Sequence, residues 1–162
     1  MTEAANTNIG PNDLVLVRTF DAPAAKIYEA WTTPDILKKW FAPLPFTTPE
    51  ATLDVRVGGE NTIVMQDEAG NKYPNKGVYL ELIPNKKVVF TDAFTAGWKP
   101  SGKPFFTGEI LLEEQPDGKT KYTATARHWN VEDKQAHEAM GFHKGWGQCA
   151  DQLAALLAES GK

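Results

Sequence analysis

The chain has 162 residues, 17 Lys+Arg against 21 Asp+Glu, a formal net charge of −4 and one cysteine. That length suits one domain with its own core. The acidic balance argues against non-specific nucleic-acid binding, and a lone cysteine excludes an intramolecular disulfide and fits a reducing compartment.

No apolar run reaches the ~20 residues of a membrane span. Residues 1–13 read as a small, polar, flexible tail without the basic and apolar regions of a secretory signal, so a cytoplasmic location is expected. The domain is expected over 14–160. Leu14 to Phe20 reads as a first strand. Asp21-Ala22-Pro23 opens a helix that runs to about Trp31, with Ala24, Ile27, Tyr28 and Trp31 on one face. Thr33-Pro34-Asp35 opens a second, carrying Ile36, Leu37, Trp40 and Phe41, and Pro43 and Pro45 end it.

Strands are expected next. Leu53, Val55 and Val57 alternate with polar residues, and Gly58-Gly59 turns the chain into Ile63-Val64-Met65. Gly77 to Ile83 and Val88 to Phe90 follow. Residues 93–104 hold two prolines and two glycines and read as a loop. Phe105 to Glu113 and Lys121 to Trp129 are two more strands across Pro116-Asp117-Gly118, a turn sequence. Six strands on hairpin-length links after two helices imply a mostly antiparallel sheet. Asn130, with Asp133 three residues on, caps a last helix over about 131–158. Its stripe would be Ala139, Phe142, Trp146, Ala150, Leu153 and Leu157, with His143 at the margin and His137 outside. It carries glycines at 141, 145 and 147, each costing about 1 kcal/mol in a helix interior. Tertiary contacts must therefore support it, and Gly141 and Gly145 mark either a bend or a close approach.

This order resembles the helix-grip fold of the START and birch-pollen-allergen superfamily (SRPBCC), and within it the family of the activator of heat-shock-protein-90 ATPase. Three segments carry the likeness. They are Arg18 to Pro23 with Ala30 to Pro34 and Trp40; Asp54 to Gly59; and His137 to Trp146 with Gln152-Leu153. The resemblance implies an α+β fold: a curved, mostly antiparallel sheet wrapped around a long C-terminal helix, with two short helices after the first strand and a cavity between sheet and helix.

Chemistry-bearing patterns are sparse. The three histidines lack metal-ligand spacing, there is no Cys-x-x-Cys pair, no nucleophile elbow and no phosphate loop. No metal and no cofactor are expected. Acid–base work is the remaining enzymatic reading, with His143 as candidate and His128 and Asp92 behind it. The leading expectation is binding, without chemistry, of a small hydrophobic or aromatic molecule in the cavity. Its walls would be Trp40, Met65, Phe90, Phe94, Trp98, Phe106, Tyr122, Met140, His143 and Trp146, with the 93–104 segment as a lid. The alternatives are a cyclase- or hydrolase-type enzyme using a cavity histidine or carboxylate, and a co-chaperone-like interaction module. Neither nucleic acid nor membrane is an expected partner; a homodimer or a chaperone is a possible one.

Overall fold

The computed structural model describes residues 10–102 and 104–160. Thirteen elements follow in chain order: β1 (Asp13–Phe20), α1 (Ala24–Thr32), α2 (Pro34–Trp40), β2 (Thr47–Leu53), β3 (Glu60–Gln66), β4 (Lys72–Ile83), β5 (Lys87–Thr91), β6 (Phe94–Thr95), β7 (Lys99–Pro100), β8 (Phe106–Glu114), β9 (Thr120–His128), α3 (Val131–Ala139) and α4 (Phe142–Ser160). Seven strands form one sheet in the order β1-β9-β8-β5-β4-β3-β2, and β6 and β7 make a separate small hairpin. Every pairing in the main sheet is antiparallel. This is the α+β helix-grip arrangement, and six main-sheet strands do follow the two short helices.

Register explains the core. Phe106 faces His128, Gly108 faces Ala126, Ile110 faces Ala124 and Leu112 faces Tyr122 across β8 and β9. Leu14, Leu16 and Phe20 extend these rows on β1. Because side chains alternate, all lie on one inner face, and apart from Phe106, which is half-buried, the side chains in these rows are buried. Helix α4 covers them with Phe142, Ala150 and Leu153, all buried, and half-buried Trp146. Gln152 ties α4 to the end of α2. Its amide donates to the carbonyls of Trp40 (2.8 Å) and Ala42 (2.9 Å), and its oxygen accepts from the Leu44 N–H.

The C-terminal helix is not continuous, which corrects the sequence expectation. Met140 and Gly141 separate α3 from α4, and Gly141 has φ +94°. That left-handed conformation favours glycine and is the usual way a helix ends. The break resets the helical phase, so the expected stripe fails before it: Ala139 is exposed. Gly147 has a different reason. The Arg18 guanidinium lies 2.7 Å from where its Cβ would sit, on the way to Asp151. Gly145 meets only Pro43 at 3.9 Å, and no contact explains it.

Other boundaries differ as well: β4 begins at Lys72 and not at Gly77, and the expected loop over 93–104 carries the small β6–β7 hairpin. The strand expected around Val55 and Val57 lies earlier, at Thr47–Leu53, and both valines are exposed. Asp54 to Gly59 is instead a turn, closed by Arg56 N–H to Asp54 O and Gly59 N–H to Arg56 O. Of the expected N-terminal tail, 1–9 lie outside the described residues. Asn12 and Asp13 are structured: Asn12 O accepts from the His128 backbone, and Asp13 pairs with Arg127.

Candidate functional site

Among the described residues, two hollows lie on the inner face. The smaller, about 50 Å³, is lined by Trp31, Trp40, Phe41, Phe90, Tyr122, Trp146 and Cys149. Aromatic packing has nearly filled the space between sheet and helix. Trp31 and Trp40 meet edge to face at 5.1 Å, and Trp31 stacks on Phe90 at 5.9 Å. The Trp31 indole N–H donates to the Tyr122 hydroxyl (3.2 Å) and that of Trp40 to Ala30 O (3.2 Å). Burial raises the Tyr122 hydroxyl above the usual phenol range and pushes the Cys149 thiol up to about 11. Neither is ionised near neutral pH, so Cys149 lacks the thiolate that a nucleophile needs. A hollow of this size holds a water or two. It does not hold an aromatic ligand.

The larger hollow is an open cleft of about 420 Å³. Its apolar floor is Ile63, Phe90 and Phe106, and its polar edge is Asn61, Asn75, Asp92 and Ser101. Phe90 belongs to both hollows and forms the wall between them. Gly108, opposite Phe90 on β8, lets that ring lie flat on the sheet: a Cβ there would be 2.4 Å from the ring. The outer wall comes from the β6–β7 segment through Thr95, Ser101 and Gly102. This segment is pinned from both sides. Trp98 lies on the 54–59 turn, its ring 2.8 Å from where a Gly58 Cβ would be. Ser101 donates its hydroxyl to Asp92 O and its N–H to Ala93 O.

Asp92 is the carboxylate of the cleft. Its carboxylate accepts the Phe105 N–H at 2.9 and 3.0 Å and the Phe106 N–H at 3.3 Å. Burial raises its pKa above the usual carboxylate range; these bonds oppose the shift and the charge on Asp133 adds to it.

Behind Phe106 lies a histidine pair. His128 Nδ1 is 2.8 Å from Asn12 O, and His128 Nε2 is 2.9 Å from His137 Nδ1. A carbonyl only accepts, so His128 carries its proton on Nδ1. With both rings neutral, His137 Nδ1–H then donates to His128 Nε2. Phe105, Phe106, Phe142 and Trp146 surround His137. It is the one buried residue of α3, so it docks that helix. Burial first, and His128 second, lower its pKa to about 4.

The sign for stability follows. The unfolded value is about 6.5. Above it both states are neutral and the contribution is full. As pH falls from there toward about 4, the unfolded chain takes a proton that the folded chain refuses, and stability is lost. Allowing for water at the ring edge, the loss is about 2 kcal/mol. Denaturant titrations at about pH 7 and about pH 4, for wild type and His137→Phe, should show a fall smaller by that amount in the variant. Carboxylates cancel in this difference. Equal falls in both proteins would refute it.

The structure therefore places the sequence candidates unevenly. Trp40, Phe90, Tyr122 and Trp146 surround the small hollow, and Phe90 and Phe106 floor the cleft. Met65 and Phe94 are half-buried and line neither. Trp98 is 49% exposed and anchors the hairpin without lining the cleft. Two assignments are corrected outright. Met140 is 76% exposed in the break between α3 and α4, and His143, also exposed, sets its ring edge-on against Phe142 and lines neither hollow. His137, expected outside, is buried, and so is His128, because the helix break lets α3 turn its own face to the strand ends. Asn61, Ile63 and Asn75 were missed. Alternation along β3 for Asn61 and Ile63, and along β4 toward Tyr79 for Asn75, was the signal for them. Among the described residues no three His, Cys, Asp or Glu side chains could hold a metal ion, and no helix is long and apolar enough to cross a membrane.

Residues 21–158 match the family described as activator of Hsp90 ATPase homolog 1-like protein. The chain belongs to this family. Similar solved structures include protein NE0264 from Nitrosomonas europaea, at 38% identity, with 94% of this chain and 97% of that one covered and a TM-score of 0.89. Protein CV1439 from Chromobacterium violaceum is 28% identical over 91% and 98% of the two chains, with a TM-score of 0.74. Protein Ms6760 from Mycobacterium smegmatis is 25% identical over 91% of each, with a TM-score of 0.77. No curated protein matches. Family and fold are those of an SRPBCC ligand-binding or co-chaperone-like domain of the AHSA1 type.

Proposed function

We propose that this AHSA1-family domain binds a small molecule with a flat apolar body in the cleft beside Phe90 and Phe106, without chemistry. The observation that supports this is the pairing of two hollows of unequal size. The interior is filled by its own aromatics, and about 420 Å³ stays open one ring away. Ligand sites ordinarily have that volume, an apolar floor and a few convergent polar groups. The lid reading becomes a wall reading, because the hairpin is already held by Trp98 and Ser101.

Gly102 offers a clean test. It lines the cleft, its φ is not left-handed, and nothing lies within 4 Å of an added Cβ. Gly102→Trp should fill the cleft mouth and leave the melting temperature unchanged. Indole, skatole and quinoline, titrated calorimetrically into the full chain, should bind the wild type with Kd between roughly 10 μM and 1 mM, and Gly102→Trp should weaken binding at least about tenfold. No saturable binding at millimolar ligand, or binding indifferent to Gly102→Trp, would sink the proposal.

A further inference from the structure

The polar side of the cleft is acceptor-rich, and that narrows the ligand class. A carboxylate has about four acceptor positions. Those of Asp92 receive two backbone N–H groups, from Phe105 and Phe106. Among the described residues no cation pairs with it. Lys76 lines the cleft, but it lies between Asn75 and Gly77 on β4, so alternation sends its side chain through the opposite face. Among the described residues the other polar groups of the cleft give no positive charge. Asn75 spends its amide N–H groups on the carbonyls of Ile63 and Tyr73, which leaves its oxygen as an acceptor. The Ser101 hydroxyl hydrogen is committed to Asp92 O, and Thr91 Oγ accepts the Ala93 N–H. Asp133, near the start of α3, adds negative potential on the Asp92 side.

Resting on the binding reading above, we infer that the cleft is built for an amine: an aromatic body on Phe90, Phe106 and Ile63, with a protonated nitrogen donating to the Asp92 carboxylate. A half-buried carboxylate that, among the described residues, accepts only backbone N–H groups is costly, and a cation that donates to it recovers part of that cost. An anionic ligand would meet Asp92 and Asp133 with like charge. A neutral ligand would gain the ring contacts alone.

Three probes of one ring system separate these cases: tryptamine (cationic), skatole (neutral) and indolepropionate (anionic), titrated into the full chain near neutral pH at low salt. Tryptamine should bind at least about tenfold tighter than skatole, and indolepropionate should be weakest. Asp92→Asn keeps an acceptor for the Phe105 N–H. It should remove the roughly tenfold preference for tryptamine over skatole, and the ratio of the two affinities reports the lost charge contact apart from any change in the cleft. If that variant does not fold, transferred nuclear Overhauser effects from the aminomethylene protons of tryptamine to the Phe105 and Phe106 amides in the wild type stand in for it. Equal affinity for tryptamine and skatole, or tighter binding of indolepropionate, overturns the amine assignment while the aromatic cleft survives. Tryptamine preference that persists in a folded Asp92→Asn also overturns it. If none of the three binds, both readings fall.

Discussion

Trp40→Ala should unfold this domain more readily than any other aromatic truncation. The ring is 2% exposed, packs edge to face on Trp31 and Phe41, and helps close the small hollow. Removing such a ring costs about 3–5 kcal/mol, because the surroundings collapse only in part. The Ala30 carbonyl loses its indole donor as well, which adds about 1 kcal/mol. The backbone around the ring is anchored by the Gln152 amide on Trp40 O, so it resists collapse. In a domain of this size the total corresponds to a melting temperature lower by roughly 10–20 °C. Trp40→Phe keeps most of the apolar area and should lose about half as much. Denaturant melts of both variants check this. A loss below about 1 kcal/mol for Trp40→Ala would show that the ring does not close the interior.

Gly77→Ala is the second large effect, and it acts on the cleft directly. A Cβ at Gly77 would lie 2.1 Å from Thr91 O and 3.0 Å from Thr91 C. Both are backbone atoms at the end of β5, the strand beside β4, and they immediately precede Asp92. A flexible side chain could move aside at low cost, but this strand end is paired to Val78 and Thr107. The substitution should cost about 3 kcal/mol, at the upper end of overpacking. It should also displace Asp92 and Ser101, so that ligand affinity falls even under conditions where the variant stays folded. Gly102→Ala, with open space around it, is the control and should be neutral. A Gly77→Ala variant with wild-type stability would mean that the Thr91 carbonyl does not approach Gly77 this closely.

These two residues differ in how far the sequence announced them. Trp40 sat on a helix face with Leu37, and that pattern marks a core residue before any fold is known. Gly77 was simply the start of an expected strand. Its role depends on Thr91, fourteen positions on, and on a close backbone approach that no local pattern encodes. His137 shows the same limit from the other side. A continuous helical count put it outside, and a single left-handed residue, Gly141, put it inside. The glycine was visible in the sequence. Whether it bent the helix, ended it or admitted a neighbour depended on what packed beside it.

The order and type of the main elements were determined by the sequence itself. The period of the apolar residues distinguishes helix from strand, and turn residues such as Pro116-Asp117-Gly118 punctuate them, so both signals act within a few residues. The Asn130 cap is equally local: its side chain accepts the Asp133 N–H at 2.7 Å, as the spacing implied. The size of the hollows was decided only by tertiary structure. Trp31, Phe90, Tyr122 and Trp146 come from four distant elements, and whether their rings fill a space or line it depends on their mutual angles. The same holds for Asp92, whose carboxylate is held by Phe105 and Phe106 thirteen and fourteen residues away. Local chemistry chose the elements. Close packing of side chains from distant elements chose what space they left.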